Sequence, residues 1–343
     1  MGNLLKVRLN KKEHSFWVPY LAQIEKIVKT KPIYRLTYIG GVLDLDLSEA
    51  SVLMLYGNST CNIPFSFLND LNSTNTILII HRRNMEMNYT LYPQNLKAYT
   101  EILSNQITIR NSNTKRLHIC KALVLSRFKS MTWLIPIPDT ALKKLKNTKT
   151  IEQVRSVEAQ YTKTYWSKFF GSLGLDQSRR DKDNVVNQAL AAGSSFVSGL
   201  VLRWVLLHNL SPCHGFLHVQ TNMNALVYDL MEPYRYIFEK AVYGTVKANG
   251  VDDSLIGKSL EELKDSLGRE IYSPKLRQYM NKKNLIHGGV LALRTYLNKR
   301  STKFVIPEEG IRSKGGRKLI INYRIPGAVD AISRYIPTSL QPP

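Results

Sequence analysis

Cysteine is scarce in this sequence. Its 343 residues include three, Cys61, Cys120 and Cys213, widely separated and with no Cys-x-x-Cys pair. A disulfide framework and a thiolate zinc site therefore have no support, and a reducing, cytoplasmic setting is the expectation. His-Glu-x-x-His is missing, which removes the common zinc-protease helix. So are a Gly-Lys phosphate loop and any Gly-x-Gly-x-x-Gly, which leaves nucleotide hydrolysis and dinucleotide chemistry without a motif. Cys213 and His214 are adjacent, but no third group is identifiable to orient them as a nucleophile and its base. Long apolar runs are lacking too. The opening MGNLLKVRLNKKEH has no signal-like segment, and Asn187, Gln188 and Arg203 interrupt the most apolar later stretch. No membrane span is expected. Without a secretory route, the sequons at Asn58, Asn72 and Asn88 carry no glycosylation signal.

Acidic residues are also in short supply. Only 26 Asp and Glu face 48 Lys and Arg, a formal net charge of +22 with a sequence pI near 9.8. A surplus of that size attracts polyanions and favours nucleic acid as partner. Hydrophobic residues at 43% and charged residues at 22% are ordinary globular usage, so the chain folds, and its length suggests two domains.

The first ninety or so residues read as β-rich. Leu43, Leu45 and Leu47 alternate with Asp44 and Asp46 after Gly40-Gly41, and Ile77-Leu-Ile-Ile80 is a short apolar run of strand length. A small, mostly antiparallel domain is expected over 1–94. From there the spacing turns helical, through LKAYTEILSNQI and TKRLHICKALVLSRF and then over 151–170, 184–209 and 223–247. The expected architecture is α+β: a small N-terminal β-rich, sandwich-like domain, a larger all-α domain over 95–300, and a basic, irregular tail over 301–343 that carries KGGRK.

Four ionisable residues interrupt apolar patterns. In IEQVRSVEAQYTKTYWSKFF the helical stripe runs through Ile151, Val154, Tyr161 and Tyr165, and Glu158 falls within it, pointing toward the core. A buried ion pair with Arg155 or Arg235 is the structural alternative. In CHGFLHVQTNMNALVYDLMEPYR, His218, Asp229 and Glu232 sit among Phe216, Leu217, Leu226, Val227, Leu230 and Met231. Desolvating such groups is costly unless partners or a cation compensate them. Asp229 and Glu232 are spaced for one helical face, and Pro233 places Glu232 near a helix start, where free N–H groups favour negative charge. The alternative is a cap closed by an ion pair to Arg235. One imidazole and two or three carboxylates suit Mn²⁺ or Mg²⁺. Beside a basic surface, that donor set fits phosphoryl transfer on DNA better than peptide hydrolysis.

The segment NLSPCHGFLHVQTNMNALVYDLMEPYR, with VRSVEAQYTKTYW upstream and DNVVNQALAAG between them, resembles the CRISPR-associated spacer-acquisition integrase and endonuclease family, the first Cas protein. The resemblance implies an N-terminal β domain and a C-terminal helical catalytic domain in a prokaryotic cytoplasmic protein. It implies metal ligands at Glu158, His218 and Glu232, with Asp229 as a further catalytic acid. The implied reaction is metal-dependent transesterification, in which the 3′-hydroxyl of a captured double-stranded DNA fragment attacks a phosphodiester at the edge of a repeat. Implied partners are a second copy of the chain and the small second Cas protein. Arg235 is expected to orient a carboxylate, and Arg269, Lys282 and Lys283 to contact phosphates. A transposon-encoded integrase acting without a partner, or a non-catalytic DNA-binding scaffold, would carry the same motifs. The sequence departs from the family pattern at Ala159 after the first ligand, at Asn209-Leu-Ser-Pro212, and at Ser194.

Overall fold

The computed structural model describes residues 14–57, 61–81, 89–93, 100–176, 178–179, 181, 184–219, 224–276, 278–299 and 301–311. The N-terminal part holds seven strands: β1 His14–Pro19, β2 Leu21–Val28, β3 Ile33–Tyr38, β4 Gly41–Asp46, β5 Ala50–Tyr56, β6 Ile77–His81 and β7 Tyr89–Leu91, with helix α1, Phe65–Ser73, between β5 and β6. They form two sheets, one ordered β1-β5-β6-β7 and the other β2-β3-β4.

The smaller sheet is antiparallel, as the alternation in β4 leads one to expect. The larger sheet departs from the expected antiparallel pattern, because β1–β5 and β5–β6 pair in parallel and only β6–β7 is antiparallel. The reason lies in the connections: β2–β4 intervene between β1 and β5, and α1 crosses over between β5 and β6. Parallel neighbours need such crossovers. Strand β5, ASVLMLY, is buried at every position, as a strand covered on both faces should be. Leu53, Leu55 and Leu78 face a core shared with the smaller sheet and α1. Val52, Met54, Tyr56, Ile77 and Ile79 belong instead to the core of the helical part.

The rest of the described chain is mostly helical: α2 Thr100–Asn111, α3 Asn113–Ser130, α4 Asp139–Asn147, α5 Ile151–Ser172, α6 Val185–Leu207, α7 Ala225–Met231, α8 Tyr236–Asn249, α9 Leu255–Gly268 and α10 Lys282–Leu297. One hairpin that the periodicity did not announce, β8 Glu270–Ser273 with β9 Gln278–Asn281, lies before α10. Helix α6 is long and apolar enough to cross a membrane, with a mean hydropathy of 1.6, but 72% of that window is buried inside the fold. Gly199 lets this helix approach the larger sheet, since a Cβ there would run into Ile79 and come within 3.2 Å of Val52. The periodic stretch at 223–247 is broken at Glu232–Tyr234, a single 3-10 turn with Pro233 inside it. Residues 301–311 lie against the helical part, with Tyr234 donating to the Pro307 carbonyl at 3.1 Å and Tyr236 to Glu309 at 2.7 Å. The KGGRK segment falls outside the described residues.

Candidate metal and DNA site

Glu158 sits on α5, whose start is fixed by a capping box: the Thr150 side chain accepts from the Gln153 N–H, and Gln153 accepts from the Thr150 N–H. From that start the 3.6-residue period buries Val154, Tyr161 and Tyr165 and leaves Glu158 at the edge of the stripe, half-buried. Its carboxylate accepts from Thr162 one turn on, at 2.9 Å. It makes no ion pair with Arg155 or Arg235 among the described residues. Burial, and then the charge of Glu232, push its pKa up, against smaller opposing effects of Thr162, Arg127 and Arg235.

His218 ends a loop that is clamped from both sides. Its carbonyl groups are taken by side chains of α2 and α3: Gln106 donates to Ser211 and His214, Arg110 to Gly215 at 2.8 Å, and Arg116 to Phe216 at 2.8 Å. Its N–H groups are taken by Asp229, which is fully buried on α7. One Asp229 oxygen accepts from the Phe216 and Leu217 N–H groups, the other from the His218 N–H at 2.9 Å and the His218 Nδ1 at 2.8 Å. Gly215 is required here, because a Cβ would stand 2.6 Å from the His218 carbonyl oxygen and 2.8 Å from the Ala225 backbone. With Nδ1–H committed to Asp229, the Nε2 lone pair is the one left to ligate. Burial lowers the imidazole pKa, yet the bond and charge of Asp229, together with Glu232 and Glu158, outweigh it and raise the value overall.

Glu232 opens the 3-10 turn and is buried. Arg235 donates to it at 3.0 Å, the ion pair anticipated from sequence, and the Nε of Arg127 lies 3.7 Å from its other oxygen. Burial raises its pKa, but Arg235, Arg127 and His218 pull harder and hold it below the usual carboxylate value. Asp229 and Glu232 thus serve different partners despite their helical spacing: Asp229 the loop, Glu232 the arginines.

The donor set suits a divalent cation of the Mn²⁺ or Mg²⁺ class, with one imidazole of fixed tautomer and two carboxylates that repel each other. Among the described residues, however, no three His, Cys, Asp or Glu side chains are gathered closely enough to hold one ion. The chemistry of the donor set and its electrostatics nonetheless fit the metal.

The cations named from sequence have other engagements. Arg269 is exposed and paired with Glu262 at 2.9 Å. Lys282 is buried and donates to Ser266 at 3.2 Å, with its pKa lowered mainly by that burial. Lys283 is half-buried on α10. A different row is open to solvent: Lys143, Lys144 and Lys146 on α4, Lys149 beyond it, and Arg155, Lys163 and Lys168 on the Glu158 helix, all exposed and without an ion pair among the described residues. Lys163 and Lys168 border an open stretch of the α5 surface whose other residues, Thr164, Ser167, Gly171 and Ser172, are small. The positions of these cations, Arg155, Lys163 and Lys168 at i, i+8 and i+13, were available in the sequence, but solvated charge looks the same until the helix's buried face is known.

Comparison with known proteins bears on the fold and the family. Over 132 residues the chain is 30% identical to the CRISPR-associated endonuclease Cas1 1 of Thermus thermophilus, an alignment covering 35% of this chain and 42% of that protein. The chain thus matches less than half the length of that curated relative. Among solved structures, a casposase bound to integration product superposes with a TM-score of 0.75 at 19% identity, covering 88% of this chain and 96% of the other. A Cas1 protein from Thermotoga maritima gives 0.70 at 16%, covering 88% and 100%. A Cas6-RT-Cas1–Cas2 complex gives 0.71 at 12%, covering 87% of this chain and 36% of the other. At such identities the likeness is one of fold, an N-terminal β-sheet region followed by a mostly helical one. The family model for CRISPR associated protein Cas1 matches residues 34–262, about two thirds of the chain and the span that carries Glu158, His218, Asp229 and Glu232. By that match, the chain belongs to the CRISPR-associated Cas1 family.

Proposed function

We propose that this protein is a metal-dependent DNA endonuclease and integrase that joins captured DNA fragments into a CRISPR array. The observation that carries the reading is His218, tied through Nδ1 to a fully buried Asp229 and electrostatically coupled to Glu158 and Glu232. An imidazole with a fixed tautomer beside two mutually repelling carboxylates is a cation-seeking arrangement. Glu158, His218 and Glu232 would hold Mn²⁺ or Mg²⁺, which when bound supplies charge neutralisation at the reacting phosphodiester oxygens. Asp229 keeps the loop and the imidazole in place, and Arg235 orients Glu232. The exposed row from Lys143 to Lys168 tracks the phosphates of the duplex.

The reaction is a transesterification. The 3′-hydroxyl oxygen of the fragment forms one P–O bond as another breaks, and the departing 3′-oxygen ends with the proton. Phosphodiester bonds are conserved in number, so no nucleotide has to be hydrolysed, which suits a chain without a phosphate loop. A homodimer through the N-terminal β-rich part, bridged by the small second Cas protein, is the proposed assembly.

The test is joining of a labelled short duplex into supercoiled plasmid carrying a repeat array, with Mn²⁺. Wild type is expected to yield joined product, and Glu158→Ala none while still binding duplex. Parallel loss of binding in Glu158→Ala would favour a DNA-binding scaffold. Joining that is indifferent to the small second Cas protein would favour an integrase acting alone.

A further inference from the structure

Behind Glu232 lies a buried network that the metal reading does not use. Arg127, on α3, is 1% exposed and has no route to solvent for its charge. Its two terminal nitrogens are both spent on Glu239 of α8, Nη1 at 3.0 Å from Oε2 and Nη2 at 2.7 Å from Oε1. Glu239 is itself 0% exposed, and its Oε2 also accepts from the Tyr165 hydroxyl at 2.8 Å. Arg235 leans on the same carboxylate, its Nε standing 3.5 Å from Glu239 Oε1. Two guanidinium groups therefore share two carboxylates, but unequally. Glu239 takes the fork of Arg127, while Glu232 keeps one close bond, from Arg235 to Oε1. Among the described residues, the cation nearest Glu232 Oε2 is Arg127, whose Nε stands at 3.7 Å, beyond hydrogen-bond range.

That asymmetry has a chemical consequence. A planar guanidinium pairs most strongly with a carboxylate in the bidentate, fork-to-fork arrangement. Arg127 lies between two carboxylates, with its Nη1/Nη2 edge spent on Glu239 and only its Nε turned, at a distance, toward Glu232. If it turned to Glu232, both oxygens of that residue would be closed by arginines, and a cation would have to displace a charge-assisted bond in order to bind. Resting on the metal reading above, we propose that Glu239 is a positioning residue: it holds Arg127 away from Glu232 and so leaves Glu232 Oε2 open to a divalent cation. Glu239 itself touches neither metal nor substrate. Its task is to occupy a competitor.

The experiment is calorimetric titration of Mn²⁺ into the full chain without DNA, with folding of each variant checked by its thermal transition. Glu239→Gln removes the stronger claim on Arg127, and affinity is expected to fall by about 10- to 100-fold, the usual loss when a group supporting a ligand is removed. The double variant Arg127→Gln/Glu239→Gln removes the competitor as well and is expected to recover most of that affinity. A merely structural pair would give no such recovery. Should Glu239→Gln fail to fold, Glu239→Asp takes its place: it keeps the charge but reaches less far, and a several-fold weaker Mn²⁺ affinity is expected. Glu158-dependent Mn²⁺ binding that is unchanged by the single variant, or a double variant no better than the single, overturns this proposal alone. A wild-type chain that binds no Mn²⁺, or binds it equally well after Glu158→Ala, overturns the metal reading and this proposal with it.

Discussion

Replacing Asp229 with Asn exchanges one acceptor oxygen for an NH₂ group, and the structure says which bonds that exchange costs. Asp229 accepts four hydrogen bonds, two on each oxygen, from the N–H groups of Phe216, Leu217 and His218 and from His218 Nδ1. An amide accepts only on its single oxygen, so two of the four donors must lose their partner. Phe216 and Leu217 offer only N–H donors, which have no second form, whereas the imidazole can move its proton from Nδ1 to Nε2. The amide oxygen should therefore stay with Phe216 and Leu217 and its NH₂ should face His218. Nδ1 then accepts, Nε2 carries the proton, and the His218 backbone N–H is left against a donor. An unsatisfied buried donor costs about 1–3 kcal/mol, which is the stability loss expected for the loop. Binding a metal at Nε2 would require the original tautomer, with donor facing donor again, at a similar cost. At about 1.4 kcal/mol per tenfold, Mn²⁺ affinity should drop roughly 5- to 150-fold, while Glu232→Gln, which removes a direct ligand, should abolish binding outright. Histidine-selective ¹⁵N NMR of the metal-free protein reads the tautomer, and calorimetry reads the affinity. An Asp229→Asn protein that keeps its proton on Nδ1 and binds Mn²⁺ like the wild type would refute the reasoning.

Further outcomes follow from other parts of the fold. His208 and His287 are buried with their Nε2 atoms 2.8 Å apart; burial, then the charges of Arg294 and Arg203, press His208 to about 3, and burial, then His208, Arg203 and Lys283, press His287 well below its ordinary value. Because these folded-state values are depressed, the unfolded chain binds protons that the native one refuses below about pH 6.5, so stability is full above that pH and declines beneath it. The slope should be about 1.4 kcal/mol per pH unit per histidine, visible as a melting temperature that falls from pH 6.5 to 5 and falls less steeply in His287→Gln; a flat profile would contradict it. Gly199→Ala pushes a methyl into Ile79 across the sheet–helix contact and should cost about 1–3 kcal/mol, partly restored by Ile79→Val; an unchanged denaturation midpoint would mean that α6 does not lie so close. Lys163→Gln with Lys168→Gln should lower the slope of log affinity for duplex DNA against log salt by about 2, measured by fluorescence anisotropy, and an unaltered slope would place the duplex elsewhere.

Much of this molecule was legible in its sequence wherever the information is local. The alternation at Leu43 to Leu47 became β4, the run Ile77 to Ile80 became β6, and the stripe Val154–Tyr161–Tyr165 set Glu158 at the edge of a buried face, because a side chain's direction follows from the period of its own strand or helix. The motif segment likewise placed His218, Asp229 and Glu232 in one neighbourhood. Tertiary structure decided what those periods cannot encode. Whether β5 pairs in parallel depends on a crossover, and whether its apolar run is covered on both faces depends on helix α6 arriving from more than a hundred residues away. The partition of charge is also non-local: Arg127 and Glu239 are 112 positions apart in the chain, and nothing in either segment says that the other will neutralise it. Lys282 reads from sequence as a surface cation and is buried against Ser266, while Asp229 reads as a metal-site acid and is spent on three backbone N–H groups and an imidazole. A side chain's period fixes the face on which it lies, but the pairing of a buried charge is settled only when two distant faces close over it and exclude water.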